Sequence, residues 1–334
     1  MGQGRRRVGA LCLAVFLAAC TPARPPAEAT HPLLTYLGQS RIPFGAIVED
    51  TVVGGLSAIS YDAARGLYYV ISDDRSAKNP ARFYTAQLSL SDKGIGKVTV
   101  TGTHPLLDQS GQPFRPLAPD STPPVVPPDP EGIAFDPARQ RLYWSSEGER
   151  LTAGPILLDP WVRIARLDGA YLGQFTLPPN LAMSAQHTGP RRNRALEGLT
   201  LTPDGTSVFA AMEDPGYNDG PENDDDRQVL TRITRFDAAT GTPTAQDAYP
   251  MEPPAPPADL NGVSDLVALS DTTFLVIERS NSTPPTVRIY RADVGAATDL
   301  SSVPSLGDAS VTPMSKSLAA DLSALPGSAR DDPA

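Results

Sequence analysis

Two cysteines, Cys12 and Cys20, and three histidines are all the cysteine and histidine that 334 residues contain. Both cysteines fall within the first twenty positions, so the body of the chain can form no disulfide and must be held by burial. His31, His104 and His187 lie far apart. No His-x-x-x-His spacing exists, which excludes the helical zinc motif. There is no Gly-x-Ser-x-Gly elbow, and neither His104 nor His187 has a nucleophile motif beside it, so a Ser-His-Asp esterase lacks its signature. A P-loop and a glycine-rich dinucleotide loop are also missing. Positive charge is scarce: 28 Lys and Arg stand against 38 Asp and Glu, a net charge of −10. That balance disfavours nucleic acid as a partner and suits cations or cation-bridged ligands.

The longest apolar run, Val8 to Ala19, is too short for a membrane span, which needs roughly 20 residues. It follows Arg5, Arg6 and Arg7 and ends in small residues before Cys20, the layout of a signal peptide over residues 1–19. Leu17-Ala18-Ala19-Cys20 resembles the bacterial lipobox, in which the cysteine is acylated and becomes the mature N-terminus. The expectation is an exported protein of the cell envelope whose only membrane contact is the lipid on Cys20. Thr21, which is not Asp, points to the outer membrane and its periplasmic face. Loss of the three signal arginines leaves 25 basic against 38 acidic residues, a mature charge of −13. Residues 20–32 read as a Pro/Ala-rich tether, with a reach of about 35 Å at ~3.1 Å per residue. Residues 33–323 form the expected domain, and 324–334 a polar tail.

One unit recurs four times in that domain: GLSAISYDAARGLYYVISDDR from Gly55, EGIAFDPARQRLYWSSEGER from Glu131, EGLTLTPDGTSVFAAMEDP from Glu197 and SDLVALSDTTFLVIERS from Ser264. Each is an apolar run, a turn with Asp, Gly or Pro, and a second run ending in an acid. Period-two alternation rich in Val, Ile, Tyr and Phe makes each a β-hairpin. A further strand follows each hairpin, from Ala81, Trp161, Leu230 and Thr286. Repeats of three or four strands at a period of tens of residues predict an all-β fold, a β-propeller. The anchors Ser57, Glu131, Glu197 and Asp265 lie 74, 66 and 68 residues apart, so five or six blades are expected, some degenerate. The ring is expected to be incompletely closed, with Leu34 to Val53 as a candidate closing strand. Pro113 to Pro130, Pro250 to Pro257 and the acidic run Asp214 to Arg227 read as surface loops. The last does not match a calcium-binding EF-hand. A β-sandwich is the structural alternative, but it would not repeat the same acidic position.

The acids fall in register. Ser57 to Asp73, Glu131 to Glu147 and Glu197 to Glu213 are each 16 apart, and Asp265 to Glu278 is 13 with a shortened turn. A propeller carries equivalent positions to one height around an axis, so these acids would ring one end of the channel. Crowded carboxylates repel unless a cation or shared protons compensate. Oxygen donors of this kind suit Ca²⁺ or Mg²⁺. Singly, each acid could equally close a turn by bonding backbone N–H groups. Arg75, Arg150, Arg194 and Arg279 flank the acids. A carboxylate–arginine rim around a cation can cradle phosphate, although each arginine alone reads as a salt-bridge partner.

Several blocks in order carry a resemblance: GGLSAISYD and YYVISDDRS from Gly54, PDPEGIAFD and WSSEGE from Pro128, RNRALEGLTLTPDG from Arg192, TRITRFDAATG from Thr231, SDLVALSDTTFLVIERS from Ser264 and RIYRADVGAATD from Arg288. At these blocks the chain is similar to the phytase-like family, "esterase-like activity of phytase". The resemblance implies a secreted or lipid-anchored propeller that hydrolyses phosphate esters. Members continue past the position of Lys316 into another block, whereas this chain ends in DLSALPGSARDDPA, so the final repeat is expected to be missing. The resulting expectation is a calcium-dependent phosphoesterase acting on a phosphorylated small molecule. Glu131 and Glu197 would be catalytic, and Asp73, Asp74, Glu147, Glu213, Asp265 and Glu278 metal-holding, with Arg75, Arg194 and Arg279 on substrate oxygens. A non-catalytic envelope propeller that binds a ligand or protein is the second reading, and a decayed remnant the third.

Overall fold

A computed structural model describes residues 34–322 apart from 93, 153–155, 225, 255, 257, 284, 308 and 309. The expected signal peptide, Cys20, the expected tether and the expected tail 324–334 lie outside the described residues. Nearly all the regular structure is β. A two-residue hairpin, β1 (Ile47–Val48) with β2 (Thr51–Val52), comes first. Four antiparallel sheets of four strands follow. The first is β3 (Leu56–Asp62), β4 (Leu67–Ser72), β5 (Arg82–Ser91) and β6 (Gly94–Pro105), each paired with the next. In the second, β7 (Pro130–Asp136) pairs with β8 (Arg141–Ser146). A small outlying hairpin, β9 (Glu149–Leu151) and β10 (Ile156–Leu158), precedes β11 (Trp161–Ala165) and β12 (Tyr171–Gln174), which complete that sheet. The third is β13 (Leu196–Leu201), β14 (Ser207–Met212), β15 (Val229–Asp237) and β16 (Pro243–Met251). The fourth is β17 (Asn261–Ala268), β18 (Thr273–Ser280), β19 (Val287–Asp293) and β20 (Ser315–Asp321). This is a β-propeller arrangement of four blades, with β3, β7, β13 and β17 innermost.

Local chemistry explains the hairpins. The Asp-Ala-Ala-Arg and Asp-Pro-Ala-Arg turns of the first two blades are closed identically. Asp62 Oδ1 accepts the N–H groups of Ala64 at 3.0 Å and Arg65 at 3.2 Å. Asp136 Oδ1 accepts those of Ala138 at 3.0 Å and Arg139 at 2.9 Å. Each carboxylate also pairs with the arginine of its own turn, and fixing the turn fixes which residues face the core.

Burial joins the blades in series. Phe83, Ile133, Trp144 and Trp161 fill the first junction. Tyr143, Phe175, Leu196 and Phe236 fill the second, and Phe209, Val263, Phe274 and Val276 the third. Among the described residues no such cluster joins the fourth blade to the first. The channel cavity, about 650 Å³ and lined by all four blades, reaches this junction through Ile59, Tyr61 and Tyr68 of the first and Val267, Leu275 and Ile289 of the fourth. Tyr61 and Val267 are each 51% exposed. The ring is therefore least closely packed at this junction.

Four blades replace the expected five or six. The long repeat spacing is taken up by irregular chain with isolated bridges such as Leu107 to Pro113 and Ala118 to Val125, by the outlying β9–β10 hairpin, and by the long strands β5 and β6. The segment Leu34 to Val53 does not close the ring. Its hairpin lies on the outer strands of the first blade, where Thr103 N–H donates to Glu49 Oε2 at 2.8 Å and Tyr84 Oη to the Val52 carbonyl at 2.9 Å. Pro250 falls inside β16, so the second proline-rich loop starts at Glu252.

A buried ion pair within the fourth blade also bonds to the last strand of the third. Lys316 Nζ donates to Glu278 Oε1 at 2.5 Å and to the Pro250 carbonyl at 2.7 Å, while Tyr249 Oη donates to Glu278 Oε1 at 2.8 Å. Removing only the lysine strands a buried carboxylate, which costs about 3–5 kcal/mol. Lys316→Met is expected to lower the unfolding free energy obtained from urea titration by that amount, and the double replacement Glu278→Leu with Lys316→Met to recover part of it.

Candidate functional site

In every blade the pairing of the innermost strand with its neighbour slips at the same place. The register shifts between Leu56 and Ala58, between Pro130 and Ile133, between Leu196 and Leu199, and between Val263 and Asp265. A bulge re-aims the side chain it carries, and Ser57, Glu131, Glu197 and Ser264 sit inside these irregularities. In three blades the second strand stops one residue before an acid, at Ser72, Ser146 and Met212. The next residues, Asp73, Glu147 and Glu213, are each held by one backbone bond, to the carbonyls of Gly55, Asp129 and Ala195.

Glycines bring the blades close enough for these acids to meet. A Cβ on Gly132 would lie 2.5 Å from Leu199 Cβ and 2.7 Å from the Glu197 carbonyl. One on Gly198 would lie 2.7 Å from Leu266 Cδ2. No other residue fits without pushing the inner strands apart.

Two groups of carboxylates result: Asp73, Asp129 and Glu131, then Glu131, Glu147 and Glu197. Within each group one oxygen per residue lies within 4.8 Å of the others. Ser57 Oγ donates to Glu131 Oε2 at 2.5 Å, and Ala195 N–H to Glu147 Oε1 at 2.5 Å. Glu147 Oε2 is buried with no hydrogen-bond partner. Arg75 reaches the edge, 3.5 Å from Asp129 Oδ2.

Burial, then mutual repulsion, pushes Glu131, Glu147 and Glu197 well above the ordinary carboxylate range. Asp129 is raised to about 7 by burial, against the pull of Arg75. Asp73, at the open mouth, is also raised by partial burial, and its carboxyl shares a hydrogen bond with Asp129. Oxygen-only donors, excess negative charge and an unpartnered buried oxygen fit a hard cation and no soft one.

The structure brings together Asp73, Glu131, Glu147 and Glu197 of the residues expected at the site. Others lie apart. Asp74 accepts the N–H groups of Ala77, Lys78 and Asn79 and pairs with Arg82 at 2.7 Å. Burial opposes its ionisation, but Arg82 and these donors outweigh it and hold its carboxyl below the usual range. Glu278 is committed to Lys316, because β18 runs on to Ser280 and keeps it within the strand. Asp265 lines the channel cavity and accepts the Leu266 N–H at 2.8 Å, and burial raises it to about 7. Glu213 pairs with Arg194 at 3.3 Å beside the cluster, and Arg279 also acts on its charge. Arg150 turns away and binds the Ser184 and Gln186 carbonyls.

Sequence reasoning passed over Asp129, Glu149, Arg192 and Asp214. Asp129 had a signal, since it stands two residues before Glu131 and extended chain returns to one face every second residue. Glu149, only 1% exposed, pairs with Arg75 at 2.5 Å and Arg192 at 2.7 Å and so holds two guanidiniums at the mouth. Asp214, raised to about 7 by burial, belongs to the acidic loop and accepts the Asn223 N–H.

The family described as "Phytase-like: Esterase-like activity of phytase" matches residues 51–331. No curated protein matches the chain. Among solved structures, the periplasmic gluconolactonase of Pseudomonas aeruginosa is similar at 9% identity and TM-score 0.35, over 75% of this chain and 71% of that one. A chain of a nidogen/laminin complex is similar at 11% identity and TM-score 0.34, over 73% and 78% respectively. Neither likeness carries an argument about activity.

The raised carboxyls set the pH dependence. Unfolded, they ionise near ~4, whereas Asp129, Asp214 and Asp265 keep their protons to about 7 when folded. The folded state binds more protons between those limits, so raising pH through the window removes stability. Cation-free protein in chelator is expected to lose ~5 °C or more of Tm between pH 5 and pH 8. Calcium should flatten or reverse that slope, as read by differential scanning fluorimetry.

Proposed function

The chain belongs to the Phytase-like family, esterase-like activity of phytase, and on that premise we propose that it hydrolyses phosphate esters with a calcium ion held in the carboxylate pit. The observation that carries the reading is the gathering of Asp73, Asp129, Glu131, Glu147 and Glu197 into two adjoining groups that share Glu131, beside guanidiniums. A bound cation of this type supplies charge to the phosphoryl oxygens and acidity to a water. Glu131 would hold it together with the members of either group, Asp73 and Asp129 or Glu147 and Glu197. A Glu197 carboxylate oxygen not taken up by the cation would accept the proton of the attacking water. Arg75, Arg194 and Arg279, joined by Arg192, bind and orient the remaining phosphate oxygens. Glu149 fixes Arg75 and Arg192 in place.

We place this reaction at the cell envelope, with the domain tethered through acylated Cys20. The basic, apolar and small-residue order of residues 5–20 supports that location.

Purified protein is expected to release phosphate from p-nitrophenyl phosphate or phytate with Ca²⁺ and to stop on addition of chelator. Glu197→Gln and Glu131→Gln should each lower kcat by ~10²-fold or more, with circular dichroism unchanged. A folded, calcium-loaded protein with no turnover on either ester would leave a ligand-binding propeller as the surviving reading. In cells, Cys20→Ser should move the protein from the membrane fraction to the soluble fraction, and its retention on membranes would rule out the lipid anchor.

A further inference from the structure

We infer that the pit is a dinuclear centre: it takes two divalent cations, and Glu131 bridges them. The inference rests on the cation reading above and goes beyond it in number, arrangement and the role of one side chain.

Distance comes first. Calcium binds oxygen at about 2.4 Å, so donors around one ion lie no more than ~4.8 Å apart. Among the described residues the five carboxylates do not form one group of that size. They form two, Asp73 with Asp129 and Glu131, and Glu131 with Glu147 and Glu197. Glu131 is the one member common to both. A single ion would serve one triad and leave the other as a bare cluster of like charges.

Charge points the same way. The five carboxylates carry five negative charges when ionised. Arg75 lies 3.5 Å from Asp129 but is engaged more closely by Glu149, as Arg192 is by Glu149 and Arg194 by Glu213, so one divalent cation leaves most of that charge uncompensated.

An unpartnered oxygen points to the inner position independently. Glu147 is 1% exposed; its Oε1 accepts the Ala195 N–H, and its Oε2 is buried with no hydrogen-bond partner. A carboxylate oxygen in that state is costly unless something binds it. The outer triad instead opens at the mouth through exposed Asp73. The two positions therefore differ in access, and the inner one should fill and empty more slowly. The close approach of the inner strands at Gly132 and Gly198 keeps the two groups side by side.

The test uses the full chain and Ca²⁺ alone, read by native mass spectrometry and isothermal titration calorimetry. Two ions per chain are expected at saturation. Glu131→Gln should leave at most one tightly held ion and weaken it by ~10-fold or more, whereas Asp73→Asn should weaken one ion and spare the other. Loaded with Mn²⁺, the wild-type protein should show an exchange-coupled electron paramagnetic resonance spectrum that Glu131→Gln abolishes. Melting in chelator checks that each variant folds, and loss of a repelling charge should leave that Tm equal or higher. One ion at saturation in the wild type, or two ions held equally well by Glu131→Gln, would overturn the inference. Two ions without ester hydrolysis would instead overturn the catalytic reading and leave the dinuclear centre standing. Calcium-dependent hydrolysis with one ion would do the reverse.

Discussion

The molecule is organised around carboxylates that repel one another and are nonetheless packed together. The inner strands touch through Gly132 and Gly198, where no side chain could be inserted without displacing Leu199 or Leu266. Bulges at equivalent places turn Glu131 and Glu197 inward, and strand ends place Asp73 and Glu147 beside them. Each device is local and modest. Together they hold a charge density that water alone would disperse, in surroundings where burial makes every carboxylate reluctant to ionise.

The arginines show how the same residue type serves two ends. Arg82 and Arg232 are buried in ion pairs with Asp74 and Asp219 that stitch loops to blades. Arg75, Arg192 and Arg194 also have carboxylate partners, yet they lie around the pit with donors to spare. A guanidinium pre-positioned by Glu149 or Glu213 loses less freedom on meeting an anion than an unheld one. Structural pairing and ligand binding are compatible here.

Blade four departs from the other three for a physical reason. Its second strand extends two residues past Glu278, so that the acid points into the junction with β16 and β20 instead of the channel. A charge that would have joined the pit became the partner of Lys316. The junction between that blade and the first carries no shared hydrophobic cluster among the described residues, and apolar side chains such as Tyr61 and Val267 remain half exposed across the cavity.

Strand period, turn chemistry and the recurrence of acids sixteen residues after Ser57, Glu131 and Glu197 are properties of short stretches of chain, and sequence alone determined them. So were the lack of a disulfide in the body of the chain, the propeller class and the family resemblance. Which acids meet was decided only by tertiary structure. Whether Glu278 faces the channel depends on where a strand stops, and whether Asp129 joins Asp73 depends on how the second blade packs against the first. Blade number was settled there too, because spacing along a chain does not distinguish a further sheet from irregular loop, whereas hydrogen-bond pairing between strands does.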